Sequence, residues 1–412
     1  MLEEYYSHRR LMGRYREGPL GSFVDGLVQW MKSQGYARCT VRTCVEVLGT
    51  FGRWLQRRTL KADQVSDELV GHFLRRDGRT DSRAHRERAA LGRIVDHLRR
   101  TGIVVQRDAT PKADQLRDMV EDFGRYLIHD RALSQATLDG YCPRVRLFLS
   151  ACFGNRQMEL DTLSARHVQE FVFEHSRNRA PKSTQLMLTA LRSFLRFLFL
   201  RGKITVELAA HVPTVASWRQ AEPPKWLPSE DIERVLEACD RRSACGRRDY
   251  AILSLLARLG LRAGEVVALD LEDIRWETGE ISVCGKGSHR KRFPLPGDVG
   301  KAIAAYLKNG RPHCDSRRVF VRSFAPYRGL ARSVCVDAVV SRALRRAGLN
   351  PPLKGAHLFR HSLATNMLRH GATLTEIGQI LHHANPDTTS IYAKVDIAGL
   401  RALALPWPGE QP

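Results

Sequence analysis

Three short stretches near the end of the chain hold most of the residues that could carry chemistry. Residues 357–361 read His-Leu-Phe-Arg-His, residues 381–383 read Leu-His-His, and residues 388–392 read Thr-Thr-Ser-Ile-Tyr. These side chains can bind anions, move protons or act as nucleophiles. Whether they form one site depends on how the segments between them fold.

Helix signals around these stretches predict three short helices. Gly371, which follows a basic pair, is typical of a helix end, and Thr373 with Glu376 three residues later forms a capping box. Asn385 before Pro386 is typical of a further helix start, because proline at the first helical position loses only an unused donor. We therefore expect the histidines, the arginine and the tyrosine to lie on consecutive short helices.

Composition limits the class of protein and its partners. In a chain of 412 residues, lysine and arginine exceed aspartate and glutamate by 22, and the isoelectric point is about 10.1. This excess is spread along the chain and favours a polyanionic partner. No apolar run approaches the roughly eighteen residues of a membrane span, and the first residues lack a signal peptide, so we expect a cytoplasmic protein without a membrane partner.

The nine cysteines indicate a reduced interior. They are dispersed and contain no Cys-x-x-Cys pair. Such spacing is not typical of a zinc site. The sequence therefore predicts neither a metal site nor a cofactor.

Residues 21–105 and 115–205 read as two copies of one helical unit. Matched positions recur in the same order, with a spacing that drifts by only a few residues: Thr40, Phe51, Phe73 and Leu98 in the first copy, and Thr137, Phe148, Phe171 and Leu198 in the second. Both copies have apolar positions at helical spacing with basic residues between them. The alternative is a chance alignment of two amphipathic helical units.

The second half of the chain predicts helices around one β-hairpin. An apolar helix over residues 250–261 leads to Arg262 and Glu265, where a helix restarts. Residues 281–295 read as a hairpin with Lys286 at its tip. We expect the remainder up to Leu349 to be helical.

This order of residues resembles the catalytic domain of the tyrosine recombinase (phage integrase) family. The resemblance covers about residues 229–400 and rests on the following set: Arg262 with Glu265, the glycine-flanked Lys286, His357-x-x-Arg360, His383 and Tyr392. The second helical unit resembles the core-binding domain of that family. The implied fold is mainly α, with two tandem SAM-like DNA-binding units before an α-rich catalytic domain that carries a small antiparallel sheet.

Composition, the internal repeat and the resemblance together divide the chain into six segments. The expected segments are a charged, loose or partner-dependent N-terminal tail at 1–20, an additional DNA- or partner-binding unit at 21–105, a core-binding unit at 115–205, a proline-rich linker at 206–228, the catalytic domain at 229–396 and a tail at 397–412. The last tail could dock into a neighbouring subunit or pack on its own domain.

The resemblance also implies a role for each residue. Tyr392 would attack a DNA phosphodiester and hold the 3′ phosphate covalently. Arg262 and Arg360 would bind the non-bridging oxygens, since the planar guanidinium pairs with phosphate through two hydrogen bonds and keeps its charge. His357 and His383 would add hydrogen bonds.

Two further residues complete the implied mechanism. Lys286 would protonate the departing 5′ oxygen, and Glu265 would orient Arg262 or a neighbour. Because the phosphotyrosine retains the bond energy, rejoining would need no ATP, metal or cofactor. The implied partners are double-stranded DNA with specific recombination sites, a homo-tetramer on paired sites, and accessory or sister recombinase proteins of a mobile element.

One position departs from the family pattern. His382 stands where related sequences carry a glycine that turns the chain at a helix end. Histidine tolerates left-handed backbone better than most residues, so we expect the turn to be kept. Either His382 or His383 could then face the phosphate, and the spacing to Tyr392 favours His383.

Other interpretations remain open at this stage. Arg262 and Glu265 could form an ordinary salt bridge, and His383 could be a histidine favoured by a helix dipole. A type IB topoisomerase uses a similar tyrosine to nick and reseal one duplex. Residues 373–395 also resemble a helix-turn-helix, which would indicate a non-catalytic DNA-binding regulator.

Overall fold

The chain is mainly helical and forms two compact units. The computed structural model describes residues 1–75, 81–104, 111–154, 156–177, 179–214, 223–285, 290–382, 385 and 388–395. One unit comprises Met1–Val104 with Gln220–Pro412, and the other comprises Val105–Arg219. This architecture, with a single small antiparallel sheet in the described residues, confirms the predicted fold class.

The part of the N-terminal segment that the structure describes contains five α-helices around its own core. They are α1 (Arg9–Arg16), α2 (Val24–Ser33), α3 (Arg38–Gln56), α4 (Asp67–Leu74) and α5 (Asp81–Arg100). The first twenty residues are not the loose tail that their charge suggested. Leu2, Tyr6, Met12 and Tyr15 are buried in the core of this segment, because apolar residues at helical spacing give α1 an inward face.

The second unit repeats the plan of the first segment. Its helices are α6 (Pro111–His129), α7 (Gln135–Phe153), α8 (Ala165–Ser176) and α9 (Pro181–Leu200). In the first segment, the rings of Phe51 and Phe73 pack edge to face with centroids 4.9 Å apart. In the second unit, the rings of Phe148 and Phe171 pack in the same way with centroids 5.1 Å apart. The same aromatic pair at matched positions confirms two tandem helical units.

In its described residues, the remaining segment holds seven α-helices and the sheet. The helices are α10 (Ser229–Glu237), α11 (Ala244–Leu259), α12 (Ala263–Ala268), α13 (Gly297–Asn309), α14 (Val334–Arg346), α15 (Ala356–Arg369) and α16 (Leu374–Ile380). The strands are β1 (Ile274–Arg275), β2 (Glu280–Cys284) and β3 (Arg290–Pro294). Helix α11 lies at the centre of the core and packs against α13 and α15.

The sheet is antiparallel, in the order β1-β2-β3. Ile281 pairs with Phe293 and Val283 with Lys291, which is the register of the predicted hairpin. The hairpin tip, with Lys286, lies outside the described residues. Strand β1 was not predicted, because two residues are too short to show a periodic pattern.

Two helix predictions were wrong in detail. Residues 310–333 are irregular and carry a bridge between Val321 and Gly329 instead of continuing as helix. Pro326 and Gly329 interrupt this segment, and both residue types disfavour a helix interior. Tyr392 lies on a 3-10 helix, Ser390–Val395, and not on an α-helix.

Candidate active site

Arg360 is the buried charge around which the candidate site is built. It lies in the second turn of α15 and only 5% of its surface is exposed. Its Nη1 donates to the Gly260 carbonyl at 2.6 Å, and its Nη2 donates to the Leu381 carbonyl at 2.5 Å. The guanidinium therefore joins the end of α11 to the end of α16 and keeps further N–H groups for a ligand.

Gly260 makes this arrangement possible. It ends α11 with φ +58°, in the left-handed region that favours glycine. A Cβ at this position would lie 2.8 Å from Cδ2 of Leu381 and 3.0 Å from Cδ2 of Leu363. Only glycine provides both the turn and the close approach.

Arg262 lies two residues later and is held by Glu265. The Glu265 carboxylate accepts from the Arg262 backbone N–H and from its Nη1, each at 2.8 Å. Glu265 is buried, whereas Arg262 remains about one third exposed. The carboxylate therefore caps the start of α12 and fixes the arginine side chain at the same time.

The charges of these groups act on one another. Burial, and next the nearby charge of Arg262, lower the pKa of Arg360 to about 10, although Glu265 and Tyr392 act in the opposite direction. An electrostatic effect of this kind needs short distances. The structure thus brings Arg262, Glu265, Arg360 and Tyr392 together, although up to 130 residues separate them in sequence.

Tyr392 is almost fully buried, with 1% of its surface exposed. Its hydroxyl oxygen lies 3.0 Å from Nδ1 of His361. Burial raises the pKa of Tyr392 to about 12, and the charges of Arg360 and Arg262 partly oppose that rise. The phenol is therefore neutral at physiological pH.

His361 is the site residue that sequence reasoning missed. Burial, and after it the neighbouring His357 and Arg360, lower its pKa to about 4. The available signal was its position, four residues after His357 on the same helical face. The rings of His357 and His361 have centroids 6.2 Å apart, and His357 is exposed.

His382 adopts the left-handed turn that we expected, with φ +50°. Its ring packs edge to face on that of Phe293 in β3, with centroids 4.5 Å apart. Its backbone carbonyl accepts a hydrogen bond from Nζ of Lys291 at 3.1 Å. These contacts attach the end of α16 to the hairpin. His383, like Lys286, lies outside the described residues.

The described residues can perform one kind of chemistry well. Two guanidinium groups can neutralise a phosphate, and a neutral phenol lies within electrostatic range of both. A histidine nitrogen lies at hydrogen-bonding distance from that phenol. Together these groups suit phosphoryl transfer to a tyrosine.

Comparison with known proteins gives matches across most of the chain. Residues 225–398 match the phage integrase family, and residues 120–202 match the phage integrase N-terminal SAM-like domain. The protein y4rA of Sinorhizobium fredii, whose name assigns it provisionally to the integrases and recombinases, is 41% identical over 97% of this chain and 97% of its own length. Tyrosine recombinase XerD of Listeria innocua is 30% identical over 68% of this chain and 95% of its own length.

A solved structure supports the fold independently. The XerH site-specific recombinase, crystallised with its palindromic difH substrate as a post-cleavage complex, has 18% sequence identity and a TM-score of 0.54. The alignment covers 72% of this chain and 88% of XerH. At this identity the likeness concerns the fold alone.

The fold and the matches define a class of enzyme that transfers DNA strands through a tyrosine. The chain belongs to the phage integrase family, and it is a tyrosine recombinase, an enzyme of site-specific DNA strand exchange. This membership favours recombination over the topoisomerase alternative. In the described part of residues 373–395, α16 is followed by a 3-10 helix, which does not favour the helix-turn-helix alternative.

Proposed function

We propose that this recombinase cuts and rejoins double-stranded DNA at specific sites of a mobile element, through a covalent 3′-phosphotyrosine formed by Tyr392. The observation that carries the proposal is the buried cluster in which Tyr392 packs with Leu381, whose carbonyl binds Arg360, while the charges of Arg360 and Arg262 both act on the phenol. A phosphodiester neutralised by these two arginines would lie next to the nucleophile.

The other residues take roles around the same phosphate. Arg360 stabilises the charge of the pentacoordinate phosphorus from its buried position, and Arg262 does so from the open side, where Glu265 holds it. His357, exposed on the first turn of α15, adds a hydrogen bond. His383 adds a second one, and Lys286 protonates the leaving 5′ oxygen, as the family resemblance implies.

The charge of the chain supports DNA as the partner. The formal net charge of +22 is spread over both helical units and the catalytic segment. Each phosphate contact releases counterions, so the affinity falls steeply as salt rises. The core-binding unit at 115–205 and the additional unit at 21–105 both bind DNA or a partner, and the linker at 206–228 lets the catalytic domain close on the DNA.

Strand exchange between two sites requires several copies of the chain. Four protomers on two paired sites, with the tail at 397–412 docked in a neighbour, would let only some tyrosines cleave at one time. Accessory or sister recombinases of the same element complete the assembly, which acts in the cytoplasm on chromosomal DNA.

A covalent-complex assay tests the proposal. A nicked suicide substrate carries the terminal DNA of the element that encodes the chain, and the wild type is compared with Tyr392→Phe. The expected result is a protein–DNA adduct that resists denaturation and is missing in the variant. Tight DNA binding without any adduct in the wild type would contradict the proposal, and relaxation of plasmids lacking the site would instead support type IB chemistry.

A further inference from the structure

His361 contacts the reacting atom of the candidate site, although the family resemblance gave it no role. Its Nδ1 lies 3.0 Å from the Tyr392 oxygen, and the two rings meet edge to face with centroids 5.7 Å apart. The histidine projects from α15 and the tyrosine from the 3-10 helix, so the contact joins two separate elements. Such a contact fixes the phenol in both direction and distance.

We propose that His361 accepts the phenolic hydrogen of Tyr392 and takes up the proton when the phenol attacks phosphorus. This inference rests on the proposed function and assigns one further catalytic residue to it. The hydroxyl oxygen lies within electrostatic range of Arg360 and Arg262, which attract its lone pairs. Its hydrogen then points away from them and toward Nδ1 of His361, which is unprotonated in this tautomer.

The phenol of Tyr392 stays neutral in the chain without DNA. With the pKa of Tyr392 at about 12 and that of His361 at about 4, the proton stays on the phenol. A proton on His361 would also be repelled by Arg360. A bound phosphodiester places a negative charge beside the same arginine and reduces this repulsion. Proton uptake therefore accompanies the attack and does not precede it.

The step balances in both directions. The Tyr392 oxygen forms a bond to phosphorus, the bond from phosphorus to the 5′ oxygen breaks, and the phenolic proton moves to Nδ1 of His361. The 5′ oxygen receives a separate proton, which the proposed function assigns to Lys286. In rejoining, a 5′ hydroxyl attacks the phosphotyrosine and His361 returns its proton to the departing phenol.

Single-turnover cleavage of the nicked substrate tests the assignment with three variants. In His361→Ala the rate should fall roughly 100-fold or more, as expected when a general base is lost. In His361→Asn the amide oxygen can accept the hydrogen bond but cannot take up the proton, so the rate should also fall, by at least about tenfold. His370, exposed at the end of the same helix, supplies the control His370→Ala, which should stay within about twofold of wild type.

Two further readouts separate proton uptake from folding. A substrate whose 5′ leaving oxygen is replaced by sulfur needs no acid, so it should rescue Lys286→Ala but not His361→Ala. Fluorinated tyrosine at position 392, a more acidic phenol, should accelerate His361→Asn more than wild type. If the alanine variant does not fold, the asparagine variant decides.

The outcomes for this inference and for the proposed function can be told apart. A wild type that forms no adduct contradicts the proposed function. A wild type that forms the adduct, with His361→Asn equally fast, overturns only the role of His361. Rescue of His361→Ala by the sulfur substrate would also overturn it, because His361 would then act on the leaving group.

Discussion

Nη1 of Arg360 donates a 2.6 Å hydrogen bond to the carbonyl of Gly260, a residue one hundred positions earlier in the chain. The same guanidinium reaches the Leu381 carbonyl, so three segments share one buried cation. Because its position is fixed before a ligand arrives, little reorganisation is needed when a phosphate binds. Disrupting this junction should therefore slow cleavage more strongly than it weakens DNA binding.

The variant Arg360→Lys should separate the rate of cleavage from the affinity for DNA. A lysine keeps the charge but cannot donate to two carbonyls with one planar group. We expect the rate of adduct formation to fall roughly 100-fold or more, while DNA affinity changes by less than about tenfold, because the chain has many other lysines and arginines available for DNA phosphates. Cleavage kinetics and a binding titration measure the two quantities.

A matched arginine is available as the control. Arg258 lies on α11 and pairs with Glu233 and Asp298 at the surface. Exposed pairs contribute only about 0.2–1 kcal/mol, so Arg258→Lys should cleave nearly as fast as wild type. Equal losses in both lysine variants would argue against a special role for Arg360.

Gly260→Ala should damage the site through the backbone. An alanine at φ +58° costs about 1–2 kcal/mol, and its Cβ would also collide with Leu381. The carbonyl that holds Arg360 would shift, so we expect lower stability and slower cleavage together. Gly92→Ala, on an open face of α5 where a Cβ meets nothing within 4 Å, should instead stabilise the protein by about 0.5–1 kcal/mol. Denaturant unfolding compares the two variants.

Glu265→Ala should release Arg262. The carboxylate accepts two hydrogen bonds from this arginine, and its loss leaves the side chain free to turn into solvent. We expect cleavage to slow by roughly tenfold or more, because a catalytic group held less rigidly is less often aligned. Glu237→Ala, exposed on α10, is the control, and a loss of activity in both variants would contradict the prediction.

His361 should make stability depend on pH. The folded chain lowers its pKa from 6.5 to about 4, so the unfolded chain binds the proton first as pH falls. This contribution to stability is complete above about pH 6.5 and is lost as pH falls toward 4. Because the ring is partly exposed, we expect at most about 2 kcal/mol.

The comparison of wild type with His361→Asn isolates this contribution. His97 and His382 also have lowered pKa values, and they act equally in both proteins. Unfolding in urea at several pH values should show a smaller fall in stability for the variant between about pH 6.5 and 4. Parallel curves for the two proteins would contradict the prediction.

The sequence by itself determined the features that depend on near neighbours. Gly371 ends α15 at φ +89°, and Thr373 with Glu376 forms the expected capping box. The matched positions of Phe51 and Phe148 in the repeat likewise predict two helical units, and each phenylalanine packs in the core of its own unit. Capping and helical periodicity act within about one turn, so the residues that decide them are adjacent in the chain.

Only the tertiary structure decided which side chains meet. Residue order could not show that His361 contacts Tyr392, thirty-one positions later, or that two carbonyls hold Arg360. Neither could it show that Arg318, within the irregular residues 310–333, forms a β-bridge with Asp270, forty-eight positions earlier. Such contacts depend on how helices pack around a shared core, and that packing is a property of the whole chain.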